Sequence, residues 1–144
     1  MADYLKLVGR AQGQIAGAVT LPGRENSIEA IAWSHEVVVP RDMMSGSTTV
    51  RRQHRPLTIA KEVDKATPKL LKALITNEVM ASCSLECWRP DPTGRDKLYY
   101  RVDLTNAIVA GIVTNFPSEQ VTFHFQKIVF TWVDGNIMTE DSLY

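Results

Sequence analysis

Apolar and polar residues alternate along most of this chain, a pattern that is typical of half-buried β-strands. The alternation is clearest in residues 4–8, 27–39, 57–63, 81–87 and 98–104. Residues 106–114 are apolar at nearly every position, which predicts a further strand with apolar side chains on both faces. Turn residues separate 81–87 from 98–104, so these two segments are predicted to pair as an antiparallel hairpin.

The alternation changes phase once, at residues 126–127. Phe123 and Phe125 lie at odd positions before this point, and the apolar run that begins at Ile128 continues at even positions. We predict a β-bulge or a bend there, since either keeps both sets of side chains in the core. His124 lies between the two phenylalanines and is therefore expected to face solvent.

One helix is predicted among these strands. Thr67 can accept a hydrogen bond from a first-turn N–H, and Pro68 suits the first helical position because its missing donor would be unpaired there. Asn77 is the predicted end. The apolar stripe consists of Leu70, Leu71, Leu74 and Ile75. Residues 138–144 are interpreted as a short polar tail, and the whole pattern predicts an antiparallel barrel or sandwich of seven or eight strands.

Composition narrows the class of protein further. The 144 residues fit a single domain, with 44% hydrophobic residues, and 16 basic against 16 acidic side chains give zero net charge. Zero charge argues against a bulk nucleic-acid binder and leaves little repulsion against self-association. No apolar run approaches the roughly 20 residues of a membrane helix, and the first residues lack a signal-peptide pattern. We expect no membrane insertion and no cleaved signal.

No motif of the sequence indicates catalysis or a metal site. His35–Glu36 lacks the second histidine of a zincin helix, because position 39 is a valine. Cys83 and Cys87 would lie about 13 Å apart on a strand, too far for a disulfide. Two cysteines cannot form a zinc site alone, so both are predicted to be buried core thiols.

A basic cluster precedes the strand at residues 57–63. It consists of Arg51, Arg52, His54 and Arg55. These side chains could hold phosphates, but no aromatic residues are interleaved to stack bases. They could equally contact an acidic patch on a neighbouring subunit, which is the interpretation we favour. The candidate acidic partners are Asp42, Glu62, Asp64, Glu119 and Glu140.

Six blocks of sequence carry a family resemblance. They are YLKLVGRAQGQIAGAVT, GRENSIEAIAWSHEVVVPRD, RRQHRPLTIAKEVDKATPKLLKALITNE, WRPDPTG, LTNAIV and FQKIVFTWVDGNIMTED. In order and spacing they resemble the haemolysin-coregulated protein (Hcp) family, over residues 4–141. The resemblance implies a mainly β fold: an antiparallel β-barrel of two sheets with one flanking α-helix, here a single tube domain spanning residues 1–144 with no fused toxin.

The resemblance also implies a function. Hcp proteins form the inner tube of the bacterial type VI secretion system, in which homohexameric rings stack inside a sheath and carry a spike protein at the tip. The tube is cytoplasmic when assembled and is then secreted, with small effectors carried and chaperoned in its lumen. No cofactor or enzyme activity is implied. A secreted effector-binding ring that does not polymerise, or a monomeric ligand-binding β-barrel, remains the alternative.

Two groups of residues take expected roles from the resemblance. Ser34 and Glu36 are expected to face the lumen, because Ile31 and Trp33 would point to the core on the same strand. A loop at about residues 41–56 is expected to reach neighbouring subunits or the next ring. Its candidate contact residues are Arg41, Asp42, Arg51, Arg52, His54 and Arg55.

Overall fold

The computed structural model describes residues 2–41, 44–46 and 52–143. Its strands are β1 (Ala2–Gly9), β2 (Gly13–Gln14), β3 (Ile28–Ala30), β4 (Ala32–Ser34), β5 (Val37–Val38), β6 (Gln53–His54), β7 (Leu57–Glu62), β8 (Met80–Pro90), β9 (Asp96–Thr105), β10 (Ile108–Asn115), β11 (Ser118–His124), β12 (Lys127–Trp132) and β13 (Ile137–Ser142). The helix of the described part is α1 (Thr67–Thr76), between β7 and β8. The predicted mainly β fold with one helix is confirmed.

Two large antiparallel sheets enclose the core. The first sheet has the order β13-β12-β9-β8-β1-β2, with β3 also paired to β1, and the second has the order β10-β11-β7-β4. The predicted hairpin is confirmed as the β8–β9 pair. A small third sheet consists of β5 and β6 alone.

The core is one continuous cluster between the sheets and the helix. Leu5 and Leu85 enter it from the first sheet, Ile59 and Phe123 from the second, and Leu70 from α1. All five are almost completely buried. Burial of such side chains is the main favourable term in folding, so this cluster holds the two sheets together.

The long strand predicted at residues 27–39 is three short strands in three sheets. β3 pairs with β1 in the first sheet, β4 pairs with β7 in the second, and β5 pairs with β6. The chain passes between the large sheets at Ile31, whose backbone N–H donates to Ala60 O at 2.8 Å. Ile31 is 62% exposed, so its predicted place in the core is wrong. Trp33 does pack against the core, as predicted.

The phase change at residues 126–127 marks a second passage between sheets. β11 belongs to the second sheet and β12 to the first, so the chain bends rather than bulges there. Phe125 and Ile128 on either side are buried, and His124 is exposed as predicted. The buried apolar face of β12 begins at Ile128 and ends before Trp132, which is 39% exposed.

The polar tail predicted at residues 138–144 is wrong over most of its length. β13 pairs antiparallel with β12, from Trp132↔Ile137 to Lys127↔Ser142. Its side chains are mostly exposed, because it lies at the edge of the sheet and is held by backbone hydrogen bonds. An edge strand of this kind lacks the apolar alternation by which strands are recognised.

The helix ends as predicted but begins differently. Ala66 is the N-cap residue and no side chain caps the first turn. The Thr67 hydroxyl instead accepts a hydrogen bond from Asp64 N at 3.1 Å and donates to Glu119 Oε1 at 2.8 Å. Asn77 ends the helix in the left-handed region at φ 54°, a conformation that asparagine tolerates better than most residues.

The buried face of α1 is narrower than the predicted stripe. Leu70 and Ala73 are fully buried, and Leu74 packs partly against the core. Leu71 and Ile75 are 48% and 71% exposed, so their predicted core positions are wrong. The helix therefore buries Leu70 and Ala73, which are three residues apart, and exposes Leu71 and Ile75 to solvent.

Both cysteines are free and buried, as predicted. Burial raises the pKa of each thiol to about 12, so neither is a reactive thiolate near neutral pH. Within the described residues, no helix is both long enough and apolar enough to cross a membrane.

Candidate assembly surface

The hairpin formed by β5 and β6 is the root of the predicted subunit-contact loop. Val37 pairs with His54 and Val38 with Gln53. Arg55 N donates to Glu36 O at 2.7 Å, which extends the hairpin by one residue on each side. The predicted loop therefore starts and ends at this short ladder, whose backbone is hydrogen-bonded to neither large sheet.

The predicted contact residues of the loop are not all brought together. Asp42 and Arg51 lie outside the described residues. Arg41 is exposed, and its Nη1 donates to Gly46 O at 3.5 Å within the loop itself. Arg55 is exposed and its side chain has no ion-pair partner among residues 2–41, 44–46 and 52–143.

Arg52 is bound to the edge strand of the first sheet. Its Nη2 donates to Asp141 Oδ1 at 2.6 Å and to Ser142 O at 3.2 Å, and its Nε donates to Asp141 Oδ2. The Arg52 guanidinium and the Asp141 carboxylate thus form a bidentate ion pair, the strongest geometry for this kind of contact. Hydrogen bonds from Arg52 and then from His54 hold the pKa of Asp141 well below its usual range.

The two histidines of this region form a chain of contacts that ends on the same carboxylate. His54 Nε2 lies 2.7 Å from Asp141 Oδ2, and His54 Nδ1 lies 3.1 Å from His35 Nε2. The His35 ring also packs between Phe125 and Phe130, at centroid distances of 5.9 and 5.6 Å. Burial, and then the charge of His54, lowers the pKa of His35.

The sequence patterns do not reveal this cluster. They assign no role to His35, where the zincin pattern fails, and they place Asp141 in a polar tail. No local signal joins them, because His54 and Asp141 are 87 residues apart along the chain. Within the described part of the chain, no group of three or more His, Cys, Asp or Glu side chains could hold a metal ion.

The outer face of the second sheet carries a row of small side chains. Ser34 pairs with Thr58, Thr58 with Thr122, and Thr122 with Gly111, so these four positions lie side by side across β4, β7, β11 and β10. Trp33 and its neighbours point to the opposite, core face. Residues paired across strands share a face, so the row continues the surface that Ser34 begins.

A second row runs parallel to the first. Ala32 pairs with Ala60, Ala60 with Gln120, and Gln120 with Val113. The two rows contain no charged side chain. Glu36 lies outside both rows, because it follows β4 and its carbonyl belongs to the β5–β6 hairpin.

The acidic residues expected to contact a neighbouring subunit differ in their exposure and in their ion pairs. Glu119 is 2% exposed and forms an ion pair with Lys61, so it is not free to meet a neighbouring subunit and that expectation is wrong. Asp64 also pairs with Lys61, at 3.1 Å, and Glu140 pairs with a lysine of β12 at 3.0 Å. Glu62 is exposed and has no ion-pair partner in the part of the chain that the structure describes.

The chain is similar to known proteins over nearly its whole length. Residues 4–132 match the family model described as "Type VI secretion system effector, Hcp". The chain is 32% identical to the "Major exported protein" of Pseudomonas aeruginosa, in an alignment that covers 96% of this chain and 93% of that protein.

Solved structures show the same fold at full length. The Hcp1 protein of E. coli EAEC 042 superposes with a TM-score of 0.91 at 31% identity, over 100% of this chain and 99% of that chain. The secreted protein Hcp3 of Pseudomonas aeruginosa superposes with a TM-score of 0.84 at 29% identity, over 99% of both chains. Hcp proteins are structural tube proteins and not enzymes, and membership implies self-assembly within a type VI secretion system. The chain belongs to the Hcp family of type VI secretion proteins.

Proposed function

We propose that this chain is the inner-tube subunit of a type VI secretion system. Six copies form a ring, rings stack into a hollow tube within a sheath, and a spike protein sits at the tip. The tube is exported, and small effectors travel in its lumen. The name of the Pseudomonas aeruginosa relative, an exported protein, supports the export step.

The observation that carries this proposal is the outer face of the second sheet. The row from Ser34 to Gly111 and the row from Ala32 to Val113 form a surface of uncharged and mostly small side chains. These two rows carry no charge and no aromatic ring, which suits a channel wall that passes different cargoes. Ser34 is part of this wall, and Glu36 lies beyond its edge.

Exposed apolar side chains elsewhere support self-association. Single exposed apolar residues are ordinary on a monomer, whereas a large contiguous apolar patch is uncommon, because its contact with water is unfavourable. Apart from Val113 in the wall, the most exposed examples are Met44, Phe116, Ile75, Ile137, Ile31 and Met138. Contacts between subunits would remove part of this surface from water.

Charge complementarity supports a role for the loop in subunit contacts. Arg55 carries an exposed guanidinium without an acidic partner in its own described chain, and Glu62 carries an exposed carboxylate in the same situation. We assign Arg41, Asp42, Arg51 and Arg55 to contacts of the loop with the neighbouring subunit, whereas the expected contacts of Arg52 and His54 are wrong, because Asp141 of their own chain holds both side chains. Pairing of such charges sets register and partner choice more than raw affinity.

Size-exclusion chromatography with light scattering tests this proposal. The wild-type chain is expected to elute at six times its 16.1 kDa mass or as larger stacks. Arg55→Glu should reduce the assembled fraction, and Arg55→Glu with Glu62→Arg should recover it if the two charges meet. His124→Gln, an exposed change on β11, is the control. A monomer at high concentration for the wild type would contradict the proposal.

A further inference from the structure

His54 has an unusual position for a titratable side chain of a short hairpin. Its side chain is only 5% exposed, and each ring nitrogen has one partner. Nε2 faces the Asp141 carboxylate at 2.7 Å and Nδ1 faces His35 Nε2 at 3.1 Å. The contacts therefore connect the end of β4, strand β6 and strand β13 through one imidazole.

The positions of the protons follow from the donors and acceptors. A carboxylate accepts, so His54 Nε2 carries a proton and His54 Nδ1 is an acceptor when the ring is neutral. His35 Nε2 then donates to it. The pair of histidines can bind one extra proton. His54 then becomes positively charged and its Nδ1–H donates to His35 Nε2. The proton of the neutral His35 ring lies on Nδ1 in this state.

A second extra proton cannot be held in this arrangement. Both facing nitrogens would then carry N–H bonds, and neither could accept, at a separation of 3.1 Å. Two positive charges at that distance also repel each other. The second proton can bind only if His35 and His54 separate.

The surroundings of His35 favour its neutral form. Phe125 and Phe130 flank the ring, and Phe125 also lies edge-on to His54 at 5.9 Å. These rings supply no acceptor for a second N–H. Burial first, and the His54 charge second, lower the pKa of His35 for this reason.

Among residues 2–41, 44–46 and 52–143, the charged groups on the elements around this cluster are mostly paired. Asp141 is shared by His54 and Arg52, so its charge does not act on His54 alone. Next to it on β13, Glu140 pairs with Lys127 of β12 at 3.0 Å. On the hairpin itself, Glu36 and Arg55 are exposed.

We propose that His35, His54 and Asp141 form a proton-operated latch. It holds the β5–β6 hairpin against β13 near neutral pH, and it releases the hairpin in mildly acidic solution, when both histidines take a proton. The hairpin makes no backbone pairing with the large sheets, so side-chain contacts with β13 hold it there, from His54 and also from Arg52. The latch lies within one subunit and operates whether or not rings form.

The direction of the pH effect follows from linkage. A histidine whose pKa is lowered in the closed state binds its proton more tightly in the open state. The stabilisation is therefore complete above about pH 6.5, the ordinary histidine value, and is lost as the pH falls toward the lowered pKa. The Asp141 contribution is lost only in stronger acid, because its pKa is lowered from a value near 4.

Hydrogen exchange with mass spectrometry of the full chain tests the latch. Peptides that cover residues 35–38 and 53–55 are compared with peptides of β11 between pH 7.5 and pH 5, with labelling times scaled for the intrinsic exchange rate. Protection of the hairpin should fall several-fold, because the open state binds the additional proton more tightly, while β11 stays constant. Constant protection of the hairpin would overturn the latch.

Two variants separate the latch from a general loosening of the fold. His35→Gln keeps a donor toward His54 but cannot take a charge, so the pH dependence should disappear. His124→Gln, at the exposed end of β11, should behave like the wild type. An unchanged pH dependence in His35→Gln would refute the assignment.

Nitrogen NMR of the histidine rings gives a readout that does not depend on hairpin protection. The Nε2 nitrogen of His35 should lose its hydrogen-bonded signal as the ring takes a second N–H, at a pH below the ordinary histidine value. Titration of His35 at or above the ordinary histidine value would contradict the latch, even if His35→Gln loosens the hairpin at every pH.

Discussion

At the scale of single residues, the buried pair of Lys61 and Glu119 is the main departure from a purely apolar core. Lys61 is 0% and Glu119 2% exposed, and Thr67 completes the site with its hydroxyl. Lys61 shares the inward face of β7 with Leu57 and Ile59. The alternation of that strand thus contained the signal that this lysine is buried.

Removing one partner of this pair should be costly. Lys61→Met leaves the Glu119 carboxylate buried without its cation, and loss of one partner of a buried pair typically costs about 3–5 kcal/mol. Chemical denaturation at fixed protein concentration measures the change. Lys61→Met with Glu119→Leu should regain most of that loss. A single variant as stable as the wild type would contradict the account.

Gly9 gives a second prediction at this scale. A Cβ at Gly9 would lie 2.1 Å from Glu78 Oε2, the atom that accepts hydrogen bonds from Ala11 N and Gln12 N at 2.9 Å each. Gly9→Ala should therefore displace the carboxylate and cost about 1–3 kcal/mol through the unpaired donors. Gly111→Ala is the matched control, because a Cβ added at that position would meet no atom within 4 Å. Equal stabilities of the two variants would argue against this role of Glu78.

At the scale of elements, the sequence predicts what local patterns encode. The β8–β9 hairpin, the single helix of the described part and its end at Asn77 follow from alternation and from residue preference at a helix terminus. The passages between sheets at Ile31 and at residues 126–127 do not, because they depend on which strands pair far along the chain. β13 escapes prediction because an edge strand is held by backbone bonds rather than by apolar side chains.

The same limit applies to the candidate site. The alternation within β4 alone predicts that Ser34 and Trp33 lie on opposite faces of the sheet. The row of residues that continues from Ser34 depends on the registers of β7, β11 and β10. The contacts of Arg52 and His54 with Asp141 depend on the position of β13 in the first sheet. Local patterns therefore predict single strands, whereas the site depends on how distant strands align.

Asp141 gives the prediction that belongs to this scale. Asp141→Asn removes the charge that Arg52 and His54 share, so hydrogen exchange at residues 53–55 should become faster at neutral pH. Glu140→Gln on the same strand breaks only the pair with Lys127 and is the control. The rest of the fold should keep its exchange rates in both variants. Equal protection of the hairpin in both would show that Asp141 does not hold it.

At the scale of the whole molecule, the two faces of the second sheet should respond differently to the same change. Thr58→Arg adds a positive charge to the outer face of the second sheet, where the small neighbours Ser34 and Thr122 leave room. Folding and the mass of the ring should therefore be unchanged. Ile59→Arg places the charge in the core, where an unpaired charge costs several kcal/mol. Circular dichroism and light scattering measure both. Loss of folding in Thr58→Arg would contradict an open outer face.

Electron microscopy of the purified wild-type protein tests the central claim most directly. The account predicts rings of six subunits with an open centre, stacked into tubes, and with the second sheet lining the channel so that Ser34 and Thr58 face the lumen. Particles that remain monomeric at high concentration, or rings whose channel is lined by the first sheet, would contradict it.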